Sequence, residues 1–175
     1  MSWHQTVFEL IDMRSFPSLW FWIFLASSWS VATWRVLGVP HDMILRARDP
    51  GSEAERDLAA LVQINCRRLL ALGAGRGAWG LGGAAFLFTT LFLLGFFYHV
   101  EFAQALFLLG FPLALAGSAS LVLARRLQAR PLAGPPLCHC LLRHRILLQS
   151  IGVVAIIVTV LWGTYQNISS AALIG

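Results

Sequence analysis

The chain contains no lysine: all 13 basic residues are arginine. That absence fits a GC-rich coding sequence and, through it, a bacterial source. Charge of either sign is scarce, at 12% of residues, against about 25% in ordinary soluble domains. Hydrophobic residues make up 58% of the chain, and the mean hydropathy is +0.71. No Asp, Glu, Arg or His lies near the middle of any long apolar run. Charges inside a membrane mark proton relays and ion paths, so their absence argues against a pump, an ion-coupled transporter or an intramembrane protease. The same lack of mid-run histidine argues against a haem b held by two axial histidines. The glycine-rich stretch from Gly73 to Gly83 has no Gly-Lys-Ser or Gly-Lys-Thr and no strand before it, so it is no phosphate loop. Nucleophile–base pairs and facing carboxylates are also missing. Neither an enzymatic activity nor a cofactor is expected.

What the chain does have is four apolar runs: Pro17 to Val39, Ala78 to Val100, Phe102 to Ala124 and Ile146 to Gln166. A helix needs about 20 residues to cross a hydrocarbon layer about 30 Å thick, and each run is that long. The arginines gather between them. Arg46, Arg48, Arg56, Arg67, Arg68 and Arg76 lie between the first two runs, and Arg125, Arg126, Arg130, Arg143 and Arg145 between the last two. Arg35 closes the first run, and Arg14 alone falls elsewhere. Basic loops stay in the cytoplasm, so residues 40–77 and 125–145 are expected there, with both termini periplasmic. The net charge of +5 follows from this bias. It points to anionic headgroups and not to nucleic acid, for which no zinc finger or RNA-binding motif is present.

The expected fold is all-α: a four-helix transmembrane bundle forming one integral membrane domain over residues 1–175. An N-terminal interfacial helix precedes it, because Trp3, Val7, Leu10 and Ile11 share one face of residues 1–16. Glu9 and Asp12 argue against a basic signal-peptide start. Ser52-Glu53-Ala54-Glu55 reads as a capping box with Ser52 as N-cap. It starts an amphipathic cytoplasmic helix carrying Leu58, Leu61, Val62, Leu69 and Leu72, which runs on into span two. The second cytoplasmic loop is expected to begin irregularly through Pro131, Gly134, Pro135 and Pro136, with helix resuming at Leu141. Pro112 should kink span three near Leu108.

Interface anchors are expected at Trp3, Trp20, Trp22, Trp34, Trp162 and Tyr165, while Trp29, among small hydroxyl residues, marks a helix–helix contact. Close helix packing is expected at Gly73, Gly77, Gly80 and Ala84, and in span three at Gly110, Ala114, Gly117 and Ser118, because small residues let backbones approach. His99 and Glu101 cap a tight hairpin, where Glu101 suits the start of a helix.

The chemically richest segment is Cys138-His139-Cys140 with His144, and Cys66 could approach it in space. Thiolate and imidazole ligands suit zinc, copper(I) or iron–sulfur centres. The one-residue gap is not a usual zinc spacing, and neighbouring side chains diverge on a helix. The plainer reading is a set of reduced cytoplasmic thiols beside helix-end His and Arg.

Four short segments carry a resemblance. They are Phe8-Glu9-Leu10-Ile11-Asp12-Met13-Arg14-Ser15-Phe16, Val36-Leu37-Gly38-Val39-Pro40, Val100-Glu101-Phe102-Ala103-Gln104-Ala105 and Trp162-Gly163-Thr164-Tyr165-Gln166-Asn167. Together they resemble a family of small alphaproteobacterial membrane proteins labelled "component of SufBCD complex". The resemblance implies a partner in iron–sulfur cluster assembly and supplies no catalytic or binding residues.

Three functions fit these features. The first is a non-catalytic subunit or scaffold packed against a larger inner-membrane complex (respiratory, photosynthetic or transport) or against its own copies. The second is a membrane-bound metal or iron–sulfur handling protein using Cys66, Cys138, Cys140 and His144. The third is a small carrier or channel subunit. The first is the expectation, with the lipid bilayer and a larger assembly as partners.

Overall fold

The computed structural model describes Phe16 and residues 18–49, 51–74 and 77–172. The expected interfacial helix, with its Trp3 anchor, lies outside the described residues except for Phe16. Apart from one short hairpin the described chain is helical. Its order is α1 (Leu19–Trp34), β1 (Arg35–Val36), β2 (Val39–Pro40), α2 (His41–Arg46), α3 (Glu53–Ala74), α4 (Gly77–Phe97), α5 (Glu101–Ala129) and α6 (Gly134–Ala172). Three of these helices, α4, α5 and the Gly134–Ser169 stretch of α6, are long and apolar enough to cross a membrane.

The first apolar run does not stay helical to Val39. Helix α1 has 16 residues, about 24 Å at 1.5 Å per residue. It stops because Leu37 (φ 51°) and Gly38 (φ 77°) both turn left-handed. Two left-handed residues in a row make the tight turn that suits a hairpin, and Val36 pairs with Val39 across it. A non-glycine residue in that region costs about 1–2 kcal/mol. The Leu37 side chain is buried, and burial returns a gain of roughly 1.5–3 kcal/mol. Beyond the turn, α2 is closed by an exposed Arg46–Asp42 ion pair at 3.1 Å.

The cap of α3 forms as its sequence suggests. The Glu55 N–H donates to Ser52 Oγ at 3.2 Å, and Glu55 Oε2 accepts from the Gly51 N–H at 2.7 Å. Glu55 thus reaches one residue further back than a strict capping box requires. Leu58 and Val62 are buried and Leu61 and Leu69 half-buried, so the expected amphipathic face is real. It is filled from within the chain, however, and is not free for docking. Leu37, Val39, Ile44, Leu58, Val62, Cys66, Ala124, Leu127, Leu137, Cys138 and Leu141 form one core at the arginine-rich end. The helix is assigned to Ala74 and α4 starts at Gly77, with Gly75 and Arg76 outside the described residues.

The second arginine-rich segment is far more regular than expected. Helix α5 runs to Ala129 and α6 begins at Gly134, so residues 130–133 alone connect them. Gly134 (φ 64°) makes the turn. Pro135 and Pro136 then occupy the first turn of α6, where a missing N–H costs nothing and the fixed φ is already helical. Proline there opens the helix where it was expected to delay it.

A second core lies further along the bundle, built from Leu25, Trp29, Leu109, Ala116, Leu148 and Ala155. Glycine sets its spacing at two places on α6. A Cβ added to Gly152 would stand 2.8 Å from Trp29 Cε3, and one added to Gly163 would stand 3.1 Å from Phe16 Cδ1 and 3.4 Å from Trp22 Cζ2. Trp29 is 4% exposed, the helix–helix contact expected of it. These contacts also set α1 antiparallel to α6, Phe16 beside Gly163 and Trp29 beside Gly152. Gly152→Ala should therefore overpack a rigid indole and lower the unfolding free energy by about 1–3 kcal/mol. Gly83→Ala should leave it unchanged or slightly higher, because a Cβ there meets nothing within 4 Å. Thermal unfolding in one detergent compares the two; equal losses would refute the packing described.

Candidate functional site

Three places hold the residues that sequence reasoning selects, and they behave differently.

At the arginine-rich end, Cys66 and Cys138 are both buried in the first core, and Cys140 is half-buried. Cys138 Sγ points to the Ala47 carbonyl at 3.6 Å. His144 is buried on α6 and hydrogen-bonds through Nε2 with Ser120 Oγ of α5 at 3.0 Å. Each of these side chains already has an apolar environment or a partner of its own. Among the described residues no three His, Cys, Asp or Glu side chains come together to hold a metal, so the candidate ligands Cys66, Cys138, Cys140 and His144 are not gathered into one group there. Burial pushes the Cys66 thiol up from its ordinary pKa. A neutral, buried thiol is a poor ligand and a poor nucleophile. The Glu55 carboxylate lies against Gly134, where an added Cβ would stand 2.8 Å from Oε1, and its charge suits the start of α6.

At the opposite end, one residue that sequence reasoning passed over organises a polar node. Gln104 is 0% exposed. Its Nε2 donates to the Gly95 carbonyl at 2.8 Å, and its Oε1 accepts from Trp162 Nε1 at 3.0 Å and Gln166 Nε2 at 2.8 Å. The Gly95 carbonyl lies within a π turn, Leu93–Phe97, which closes with Tyr98 N–H to Leu93 O at 3.2 Å. The helix ends at Phe97, so its last carbonyls have no intrahelical donor, and Gln104 meets one of them. The fit needs glycine, since a Cβ at Gly95 would stand 3.0 Å from the Gln104 backbone nitrogen. The available signal was one amide within an otherwise apolar run. Trp162 is accordingly held inward as a donor, and Trp22 donates to Phe16 O at 2.9 Å. Trp20, Trp34 and Tyr165 are exposed.

The third place is α4. Its far half is fastened to α5 and α6 by ring contacts: Phe92 and Phe96 to Phe107 at 5.6 and 5.8 Å, and Phe96 to Trp162 at 5.1 Å. The near half is not fastened. Gly77–Phe92 contains no buried residue, Trp79 is 93% exposed, and added Cβ atoms at Gly77, Gly82 and Gly83 meet nothing within 4 Å. Of the expected packing positions, Gly80 is half-buried and Ala84, Ala114, Gly117 and Ser118 are exposed. A Cβ added to Gly110 would stand 3.4 Å from Phe88 Cε1, while Gly73 lies where only the backbone is described. Most of the small-residue positions are thus unused within the chain.

Neither a family model, a curated protein nor a solved structure matches this chain.

Two outcomes follow from the buried groups. Gln104→Leu should destabilise the fold by about 1–3 kcal/mol, because the Gly95 carbonyl, the Trp162 indole and the Gln166 amide each lose a hydrogen bond to a buried side chain; an unfolding midpoint equal to the parent's would remove the node from the account. In the folded protein a maleimide should label Cys140 well before Cys66 or Cys138, read by peptide mass mapping. Cys66 labelling as fast as Cys140 would contradict the core described.

Proposed function

We propose that this chain is a non-catalytic subunit of a larger complex in a bacterial inner membrane, with α4 as its partner-facing helix. The carrying observation is the near half of α4, from Gly77 to Leu87. That segment alternates glycine and alanine with exposed Trp79, Leu81 and Phe86. Leu, Ile and Val would serve a purely lipid-facing helix. Small residues instead allow another backbone to approach, and helix association in lipid rests on that close packing. The small positions left open here are therefore read as the contact for another helix.

The same reading holds that the chain crosses the membrane four times, with its arginine-rich end in the cytoplasm and both termini periplasmic. Two observations support the fourth crossing despite the shortness of α1. Phe16 is level with Gly163, and Ala47 is level with Cys138. Between those two contacts the α1–hairpin–α2 segment matches a stretch of α6 about 37 Å long at 1.5 Å per residue, more than the roughly 30 Å of hydrocarbon. The arginine bias sets the orientation.

Purification at native abundance in a mild detergent tests the reading. Stoichiometric partner subunits should accompany the chain. Gly82→Leu with Gly83→Leu should release them while leaving the unfolding midpoint within about 2 °C of the parent's, because those positions are open. A chain that purifies as a lone monomer, or a double variant that keeps its partners, would overturn it. Copies of the chain alone, in a fixed ratio, would assign the face to a homo-oligomer.

A further inference from the structure

An apolar groove of about 470 Å³ lies between α5 and α6, walled by Phe111, Pro112 and Leu115 on one side and Ile151, Val154 and Val158 on the other. Almost nothing polar lines it. It opens outward from the bundle, since Val154, Val158 and Leu115 are exposed. Its position relative to the arginines gives it a meaning.

The two helices are antiparallel, as the Ser120–His144 and Gln104–Trp162 bonds require. The arginines of both therefore meet at one end. Arg126 follows Leu115 by about three helical turns and Leu108 by about five, so it shares the stripe of α5 that walls the groove. Arg143 precedes Ser150, another wall residue, by about two turns on α6 and shares that stripe. Both guanidinium groups are exposed, and among the described residues neither has an ion-pair partner. Between the arginines and the groove, the stripes continue through exposed Val122 and Leu147. The surface reads from its end inward as two cations about one helical turn apart in level, then an apolar track, then a dry concavity.

The depths agree with a lipid molecule. Along α6 the groove begins about 10 Å from Arg143 and ends about 22 Å from it. One leaflet of hydrocarbon is about 15 Å deep, so the groove straddles the level that acyl-chain ends occupy when the headgroup sits level with Arg143; Arg126 lies about one helical turn further out and reaches that headgroup along its own side chain. We propose that this face is a binding site for one anionic glycerophospholipid, its phosphate held by Arg126 and Arg143 and an acyl chain laid into the α5–α6 groove. The charge at the mouth decides for an anionic lipid over a partner's transmembrane helix, which would have no use for paired arginines in line with an apolar track. This site rests on the reading that α5 and α6 cross a membrane.

The test uses the full chain, stripped of lipid in a neutral detergent. Dioleoylphosphatidylglycerol should bind in native mass spectrometry with an affinity on the order of ten-fold or more above that of dioleoylphosphatidylcholine. Arg126→Gln with Arg143→Gln should erase that preference while leaving a residual, headgroup-independent adduct. Val154→Trp, which fills the groove, should weaken binding of both lipids, and sn-glycerol 3-phosphate alone should not bind at these concentrations. Should Val154→Trp fail to fold, competition between phosphatidylglycerols with chains of 8 and 18 carbons on the parent protein reports the groove instead: the longer chain should win. Equal binding of the two headgroups, an undiminished preference in the arginine variant, equal binding of short and long chains, or binding of glycerol phosphate alone would each overturn the site. Resistance of the chain to extraction by alkaline carbonate separates the two failures. A chain released by carbonate loses the membrane reading itself, whereas a resistant chain without headgroup preference loses only this site.

Discussion

In hydrocarbon an amide or indole N–H has no water to turn to, so a polar group placed there is costly unless another part of the chain meets it. Gln104 shows what that constraint does. Its amide accepts from the Trp162 indole and the Gln166 amide and donates to Gly95, tying α4, α5 and α6 together at one level. The helix end that presents the Gly95 carbonyl is satisfied because that carbonyl has a donor. The hairpin between α4 and α5 is thereby fixed, and the Phe92, Phe96 and Phe107 rings pack below it. The Ser120–His144 bond repeats the device nearer the arginines. Smaller hydroxyls solve the same problem locally: Thr33, Ser118 and Thr159 each bond back to a carbonyl of their own helix.

Helix α6 carries the rest. With 39 residues it is about 58 Å long, more than a bilayer's hydrocarbon needs. The surplus lets one helix run through two cores. Leu137, Cys138 and Leu141 enter the arginine-end core with α2 and α3, and Leu148 and Ala155 enter the core shared with α1 and α5. The first resembles the core of a small water-soluble domain, driven by removal of Leu58, Val62 and Ile44 from water. The second has no such drive in lipid, and there shape decides. Gly152 admits the Trp29 ring and Gly163 admits Phe16 and Trp22.

Features set by near neighbours in sequence were legible without the structure. The Ser52–Glu55 cap is a three-residue relation, and the buried face of α3 follows from the spacing of Leu58 and Val62. The inward role of Trp29 followed from its small neighbours. Features set by distant contacts were not legible. Nothing in Leu93–Phe97 announces a π turn, and the donor that meets its Gly95 carbonyl, Gln104, lies on the next helix. Leu37 turns left-handed because its side chain finds a core built by α3, α5 and α6. Pro135 and Pro136 read as breakers only while the turn at Gly134 is unknown. The thiols at Cys66 and Cys138 look like ligands in sequence, and their burial among aliphatic side chains makes them packing groups. The small residues divide in a way no spacing rule anticipates. Gly95, Gly152 and Gly163 serve the chain itself, while Gly77, Gly82 and Gly83 serve nothing within it.

That last division underlies the proposed role. A bundle that closes tightly at one end and leaves the near half of α4 bare, with its smallest residues outward, has the form of a piece shaped to fit another. Photo-crosslinking in intact native membranes is the most direct measurement, with a diazirine amino acid placed in turn at Leu81 and at Phe86, both exposed on that half, and at Val153, exposed on α6. The account predicts a discrete protein–protein adduct from Leu81 or Phe86 that is absent from Val153. Adducts to lipid alone at all three positions would contradict it.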